Sequence, residues 1–199
     1  CKRIWSAYRL INMWEVDNSL AQSDASRSAV EWFDEVMMER IARIDEDMRA
    51  YRISEAFMEL YRLFWDDFSG WYLEVIKPAY GAPIDAKTLA RTKEYVDMLL
   101  RLLHPFMPFV TEEIWQDLQP EKGCVSIVVA QQPKASRSAN GNILARFELT
   151  KEAISAIRNI RKQRNIAQKE ALVLHYIADE NFPTEYAAVI EKMANLSEL

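Results

Sequence analysis

The residues best suited to chemistry in this chain form a run of cations. Arg158, Arg161, Lys162, Arg164 and Lys169 fall in a stretch, 158–169, that holds no Asp or Glu. Guanidinium forks suit phosphate oxygens, because each offers paired donors and a charge that persists at physiological pH. On a helix Arg158, Arg161 and Lys162 share a face, being three and four residues apart. Ile154, Ile157 and Ile160 are then expected to anchor the opposite side. A solubilising helix face would have the same composition, and the charges alone leave both readings open.

Little else reads as catalysis. His104 precedes a proline at an expected helix end, and His175 sits in an expected strand. Neither has Cys, Asp or Glu at ligand spacing, so no metal site is expected. No Ser or Cys nucleophile motif stands beside a histidine, and the four glycines form no phosphate-cradling loop. Asp66-Asp67 are adjacent, and adjacent helical residues do not face one another, which makes them a poor acid–base couple and points to a structural role. Phe64, Trp65, Phe68, Trp71 and Tyr72 track one helical stripe and are expected in a core rather than as a base-stacking platform.

The elements that must carry these residues are mostly helices. Residues 4–14 are apolar at helical spacing. Phe33, Met37, Ile41, Ile44, Met48 and Tyr51 mark one face of a long helix capped by Ser28 or an earlier serine. A second helix, capped by Ser54, presents Phe57, Leu60, Tyr61, Phe64, Phe68, Tyr72 and Val75, and Pro78, Gly81 and Pro83 end it. Asp85 caps a third, running to Leu103. Pro105 and Pro108 bend the chain into a shorter helix with Val110, Ile114 and Leu118. Then the period changes. Val125 to Ala130 reads as a short strand, 131–142 as a polar linker or mobile loop, 147–164 as a helix, 172–177 as a strand and Pro183-Thr184 as the start of a last helix. The expected fold is mainly α: an antiparallel helical bundle over 1–120, followed by a small α/β subdomain over 121–199.

Composition sets the class. The chain has 199 residues, half of them hydrophobic, and a net charge of −5. It is large enough to fold without disulfide or metal staples, and its two cysteines make no disulfide framework. A reducing, cytoplasmic setting is expected, with no membrane association. Charge is sorted along the chain: residues 1–120 hold 14 cations and 21 acids, 122–169 hold 10 cations and two acids, and 170–199 one cation and six acids. A basic zone between acidic neighbours supplies a local anion site on a soluble protein. The acidic remainder would also suit a helical protein–protein interaction module with no role in RNA binding. Because the chain begins at Cys1 and ends without a tail-like signal, a piece of a longer chain is expected.

Four segments carry a family resemblance. Phe64-Trp65-Asp66-Asp67-Phe68-Ser69-Gly70-Trp71-Tyr72-Leu73-Glu74 with Lys77-Pro78 resembles a hallmark helix of valyl-tRNA synthetases. The stretch Leu103-His104-Pro105-Phe106-Met107-Pro108-Phe109-Val110-Thr111-Glu112-Glu113-Ile114-Trp115 is similar to a second hallmark, shared with the isoleucyl and leucyl enzymes. Lys2-Arg3-Ile4-Trp5-Ser6-Ala7 and Ala156-Ile157-Arg158-Asn159-Ile160-Arg161 match two more segments in order. The resemblance implies an anticodon-binding bundle that recognises tRNA(Val), with Trp32, Arg40, Arg158, Arg161, Lys162 and Arg164 as the tRNA-binding residues, and a monomer. The family's HIGH and KMSKS signatures are absent, so no catalytic residue or cofactor is expected here. ATP and magnesium would belong to the parent ligase, which Cys1 would enter just after KMSKS and Leu199 leave just before a coiled-coil arm. One position departs from the pattern. The family's Trp-Ile-x-x-Arg reads Trp32-Phe33-Asp34-Glu35-Val36 here, with Val36 in place of the arginine.

Overall fold

A computed structural model describes residues 2–118, 125–167, 169–176 and 182–198. The helices are α1 (Lys2–Asn12), α2 (Asp24–Arg49), α3 (Ile53–Arg62), α4 (Leu73–Ile76), α5 (Ala86–Leu103), α6 (Pro108–Leu118), α7 (Gly141–Gln163) and α8 (Ala187–Ala194). Both cysteines lie outside the described residues, as does Ile177 at the end of an expected strand.

Helix α2 starts where Ser23 Oγ accepts the Ser26 amide at 3.1 Å, satisfying one of the orphan donors of a first turn. It stops at Ala50, and Tyr51 reverses the chain with φ 58°. Tyr51 is thereby left exposed, while Met48, in the last turn of α2, is 37% exposed, although both continue the apolar stripe. The next helix begins at Ile53 with no side-chain cap, so Ser54 lies in its first turn and does not cap it. Asp85 does cap α5, accepting the Thr88 amide at 2.8 Å.

Between α3 and α4 the helix widens into a π-helical stretch, Leu63–Tyr72, without interruption of the rod. The wider turn rotates successive side chains less per residue, so Leu63, Phe64, Asp67, Phe68 and Tyr72 all face inward. Gly70 fits here because a Cβ would stand 3.3 Å from the Trp65 carbonyl oxygen. The aromatics pack on α2 and α5: Phe33 stacks on Tyr72 with centroids 4.8 Å apart, and Tyr95 meets both edge-on. Trp65 and Trp71 sit at the margin of this core, partly exposed.

Contacts fix the directions. Early α2 (Phe33) meets the far end of the π stretch (Tyr72), and later α2 (Arg40) meets Glu59, so the two run antiparallel. Helices α5 and α6 form a hairpin in which the Trp115 indole donates to Asp97 Oδ1 at 2.7 Å. His104 closes the corner with Nδ1 2.8 Å from Thr111 Oγ1. Two short parallel pairs complete the architecture: β1 (Val16–Asp17) with β2 (Ile84–Asp85), and β3 (Leu172–Val173) with β4 (Leu196–Glu198). The architecture is thus mainly α, with small strand pieces.

The expected strand over Val125–Ala130 is instead a 3₁₀ turn, Ile127–Val129. β-branched composition favours a strand only where another edge can pair with it. Here the Glu112 carboxylate accepts from Ser126 Oγ at 2.7 Å and from the Ile127 amide at 3.0 Å. Ile127 enters the core while Val128 and Val129 stay exposed.

Helix α7 begins earlier than expected, at Gly141. It packs antiparallel on α2, with Phe147 stacked on Trp32 at 4.0 Å and Tyr186 edge-on to Phe147. Residues of the bundle and of α7 and α8 thereby share one continuous core. The segment before α7 carries no helix or strand from 131 to 140, but it is tied down. Arg137 grips buried Glu35 with two bonds of 2.6 Å, and the same carboxylate accepts the Asn140 amide at 2.7 Å.

The Arg137 guanidinium holds the Glu35 carboxyl below its ordinary range, against the opposing effect of burial. A carboxyl whose folded pKa is depressed adds stability above its unfolded value, about 4.3, and loses it as pH falls through the folded value. Glu35→Gln is therefore expected to lower the melting temperature at pH 7 and to speed tryptic cleavage at Lys134 or Arg137. The stability gap from wild type should shrink on acidification below about pH 4. A gap that is the same at pH 3 and pH 7 would argue against the tether.

Candidate nucleic-acid interface

The cations of α7 occupy different environments. Its inward stripe runs Phe147, Thr150, Ile154, Ile157, Arg161, with steps of three and four. Arg161 thus continues the apolar face and is 1% exposed, whereas Ile160 is 55% exposed. This corrects the expectation that Ile160 anchors the helix and Arg161 faces outward. The burial is possible because both terminal guanidinium nitrogens donate to backbone, which leaves only Nε without a partner among the described residues. Nη1 donates to the Ala167 and Glu170 carbonyls at 3.2 and 2.8 Å, and Nη2 to the Asn195 carbonyl at 2.8 Å. Arg161 is a clamp joining the end of α7, the turn after it and the end of α8. It is withdrawn from any phosphate at the surface.

Trp32 and Arg40 are also withdrawn. The Trp32 indole is 1% exposed, with Phe147 on it and the Lys151 ammonium 4.8 Å from its centroid. No base can stack on a ring so covered. Arg40 donates to Glu59 Oε2 at 2.5 Å and to Asp67 Oδ2 at 3.3 Å. Burial disfavours its charge, but the two carboxylates outweigh that and raise its pKa. Val36, where the resemblance places an arginine, is buried in the core.

Arg158, Lys162 and Arg164 are exposed. Arg158 Nη2 donates to the Met193 carbonyl at 2.9 Å, close to the end of α8. Lys162 lies one turn further along the same face. Arg164 follows the last helical residue, and Asn165 turns the chain with φ 53°. Among the described residues neither Lys162, Arg164 nor Lys169 meets a carboxylate. Elsewhere the pairing is dense: every arginine from Arg27 to Arg101 has an acidic partner, as do Arg137 and Arg146. From Arg158 onward no arginine has one among the described residues. The cations without an acidic partner that gather around the end of α7 are Arg158, Lys162, Arg164 and Lys169. Lys77 and Lys192, which no charge run marks in the sequence, also lack an acidic partner among the described residues.

Among the described residues no group of three His, Cys, Asp or Glu could hold a metal. Likewise among them, no helix is long and apolar enough to cross a membrane.

Comparison with known proteins places this geometry in context. The profile of the anticodon-binding domain of tRNA ligase matches residues 30–176. The chain is 47% identical over 197 residues to the valine–tRNA ligase of Parabacteroides distasonis, covering 99% of this chain and 22% of that protein. It is 48% identical over 202 residues to the valine–tRNA ligase of Bacteroides thetaiotaomicron, covering all of this chain and 23% of that protein. Identity to the valine–tRNA ligase of Enterococcus faecalis is 36% over 208 residues, covering 99% of this chain and 23% of the relative. The chain thus spans less than a quarter of the length of these relatives.

The contrast between two adjacent cations is directly testable. Arg161→Ala leaves three backbone carbonyls without their donor and should cost about 2–3 kcal/mol. Lys162→Ala should lie within about 0.5 kcal/mol of wild type. Urea unfolding of the two variants checks the ordering, and equal stabilities would mean that the clamp is not formed.

Proposed function

This chain belongs to the anticodon-binding domain family of tRNA ligases, and from that premise we propose that it recognises the anticodon arm of tRNA(Val) within a valine–tRNA ligase. The observation that carries the reading is the unpaired cationic end of α7 on a domain whose other arginines are mostly paired internally. Lys162, Arg164 and Lys169 can neutralise phosphates without giving up an intramolecular partner. Anticodon bases are unpaired, so they can be splayed out and read along their edges while cations hold the backbone. Such a domain performs no bond chemistry of its own. It fixes the tRNA so that the acceptor end reaches a catalytic site elsewhere in the ligase. ATP and magnesium would be handled there, in a cytoplasmic enzyme acting as a monomer.

Two measurements test this. A tRNA(Val) transcript titrated into the 199-residue chain at several salt concentrations should bind with a steep log–log salt dependence. Lys162→Ala and Arg164→Ala should each shallow that slope by about one unit. Both should weaken cognate and non-cognate tRNA by similar factors, because phosphate contacts carry no direct sequence information. A wild-type chain that binds no tRNA would overturn the proposal. Separately, purified chain should give no valine-dependent ATP–pyrophosphate exchange above a heat-inactivated control.

A further inference from the structure

A second cationic surface shares Arg158 with the α7 surface and extends from it toward α4 and α8. The turn after α4, the π stretch, α7 and α8 enclose a cleft of about 430 Å³ lined by Lys77, Arg158 and Lys192, with Glu74 as its one carboxylate. These cations come from three parts of the chain, and only folding brings them together. Neither lysine meets an acid among the described residues. Packing around Lys192 desolvates its ammonium and lowers its pKa, with no carboxylate opposing the shift. An anion in the cleft would supply that missing partner. Arg158 is already oriented by its bonds to the Met193 carbonyl.

Beside the cleft stands an aromatic ring with nothing on it. Ala79, Tyr80, Gly81 and Ala82 form a tight turn closed by the Ala82 amide donating to the Ala79 carbonyl at 2.9 Å. Gly81 occupies the third position with φ +76°, the conformation a type II turn demands there and the one that favours glycine. The turn thrusts Tyr80 fully into solvent, at 108% relative exposure. The ring makes no hydrogen bond or ring contact among the described residues. Ala79, its neighbour, lines the cleft. A backbone-tracking cationic groove next to a free aromatic face is the combination that holds single-stranded nucleic acid.

We propose that this cleft is a subsite for single-stranded RNA, in which Lys77, Arg158 and Lys192 take one backbone phosphate and Tyr80 stacks a neighbouring unpaired base. The proposal rests on the tRNA reading above and adds to it base stacking and two lysines, Lys77 and Lys192, that the α7 surface does not include. Glu74 at the cleft wall disfavours a second phosphate close by, which limits the site to one.

The test uses the intact chain, a labelled anticodon stem-loop RNA and a duplex RNA of equal length without a loop. Tyr80→Ala should weaken stem-loop binding by about 5- to 100-fold, the equivalent of one lost base stack. It should change duplex binding less than about twofold. Tyr80→Phe keeps the ring and should restore stem-loop affinity. Lys77→Ala with Lys192→Ala should shallow the stem-loop salt slope by about one unit. Thermal melting of each variant confirms that it is folded. Wild type binding the stem-loop, with Tyr80→Ala unchanged or equally weak on both RNAs, would overturn the subsite alone. Wild type binding neither RNA would overturn the tRNA reading and the subsite with it. A lysine double variant that loses inorganic polyphosphate and both RNAs alike, with Tyr80→Ala silent, would make the cleft a general polyanion trap and overturn the proposal.

Discussion

One buried carboxylate sets the terms for the packing of this domain. Asp67 points inward from the π-helical stretch, 6% exposed. Burial drives its pKa up even though Arg40 and Lys151 pull it down. Such a group is tolerated only where cations meet it. Arg40 comes from α2, and Lys151 comes from α7, 3.7 Å away. Arg40 is itself held by Glu59 of α3, while Lys151 sits over the rings of Trp32 and Trp71. Three helical segments are thus locked in register around a single charge. The widening of the helix at Leu63–Tyr72 is what lets an acid and four apolar side chains, three of them aromatic, share the inner face.

That lock carries the tail with it. With Lys151 fixed, α7 lies against α2, its N-terminal end held by Glu35 through the Asn140 amide and Arg137. Its C-terminal end is fastened by Arg161 to the turn after it and to the end of α8. Cations at the end of a helix also complement its dipole, so Lys162 and Arg164 are favourable where they stand before any ligand arrives. The structure therefore presents positive charge on a rigid support, which spares a phosphate-binding surface the entropy of ordering it.

Sorting of charge follows from the same economy of partners. The bundle is rich in acids, and each of its arginines from Arg27 to Arg101 is paired with one. The tail segment around α7 has two acids, Glu148 and Glu152, and its last cations are left to backbone carbonyls or to solvent. This division was legible in the uneven spread of charge along the sequence. The fate of each cation was not. Arg161 and Lys162 are neighbours of one composition class, yet one is sealed in the core and the other is exposed. The inward step from Phe147 through Ile157 to Arg161 was the available signal, but the greater hydropathy of Ile160 outweighs it when residues are read by type.

By itself the sequence determined the helical periods, the Asp85 cap, the proline-bounded corner between α5 and α6 and the family to which the domain belongs. These depend on residues close together in the chain, where spacing of three and four and local capping geometry act directly. Tertiary structure decided the rest. It made a 3₁₀ turn of the β-branched 125–130 segment because Glu112 captured it. It tied down the polar 131–140 segment through Glu35. It buried Trp32 and Arg161, tied Arg40 to Glu59 and Asp67, and brought Lys77 and Lys192 to Arg158. The turn at 127–129, the tie at 131–140 and the fates of Arg40 and Arg161 each depend on a polar partner from another segment. A side chain's intrinsic preference for water is about as large as the hydrogen bonds that can replace it, so only the fold, by supplying or withholding those bonds, fixes which side it takes.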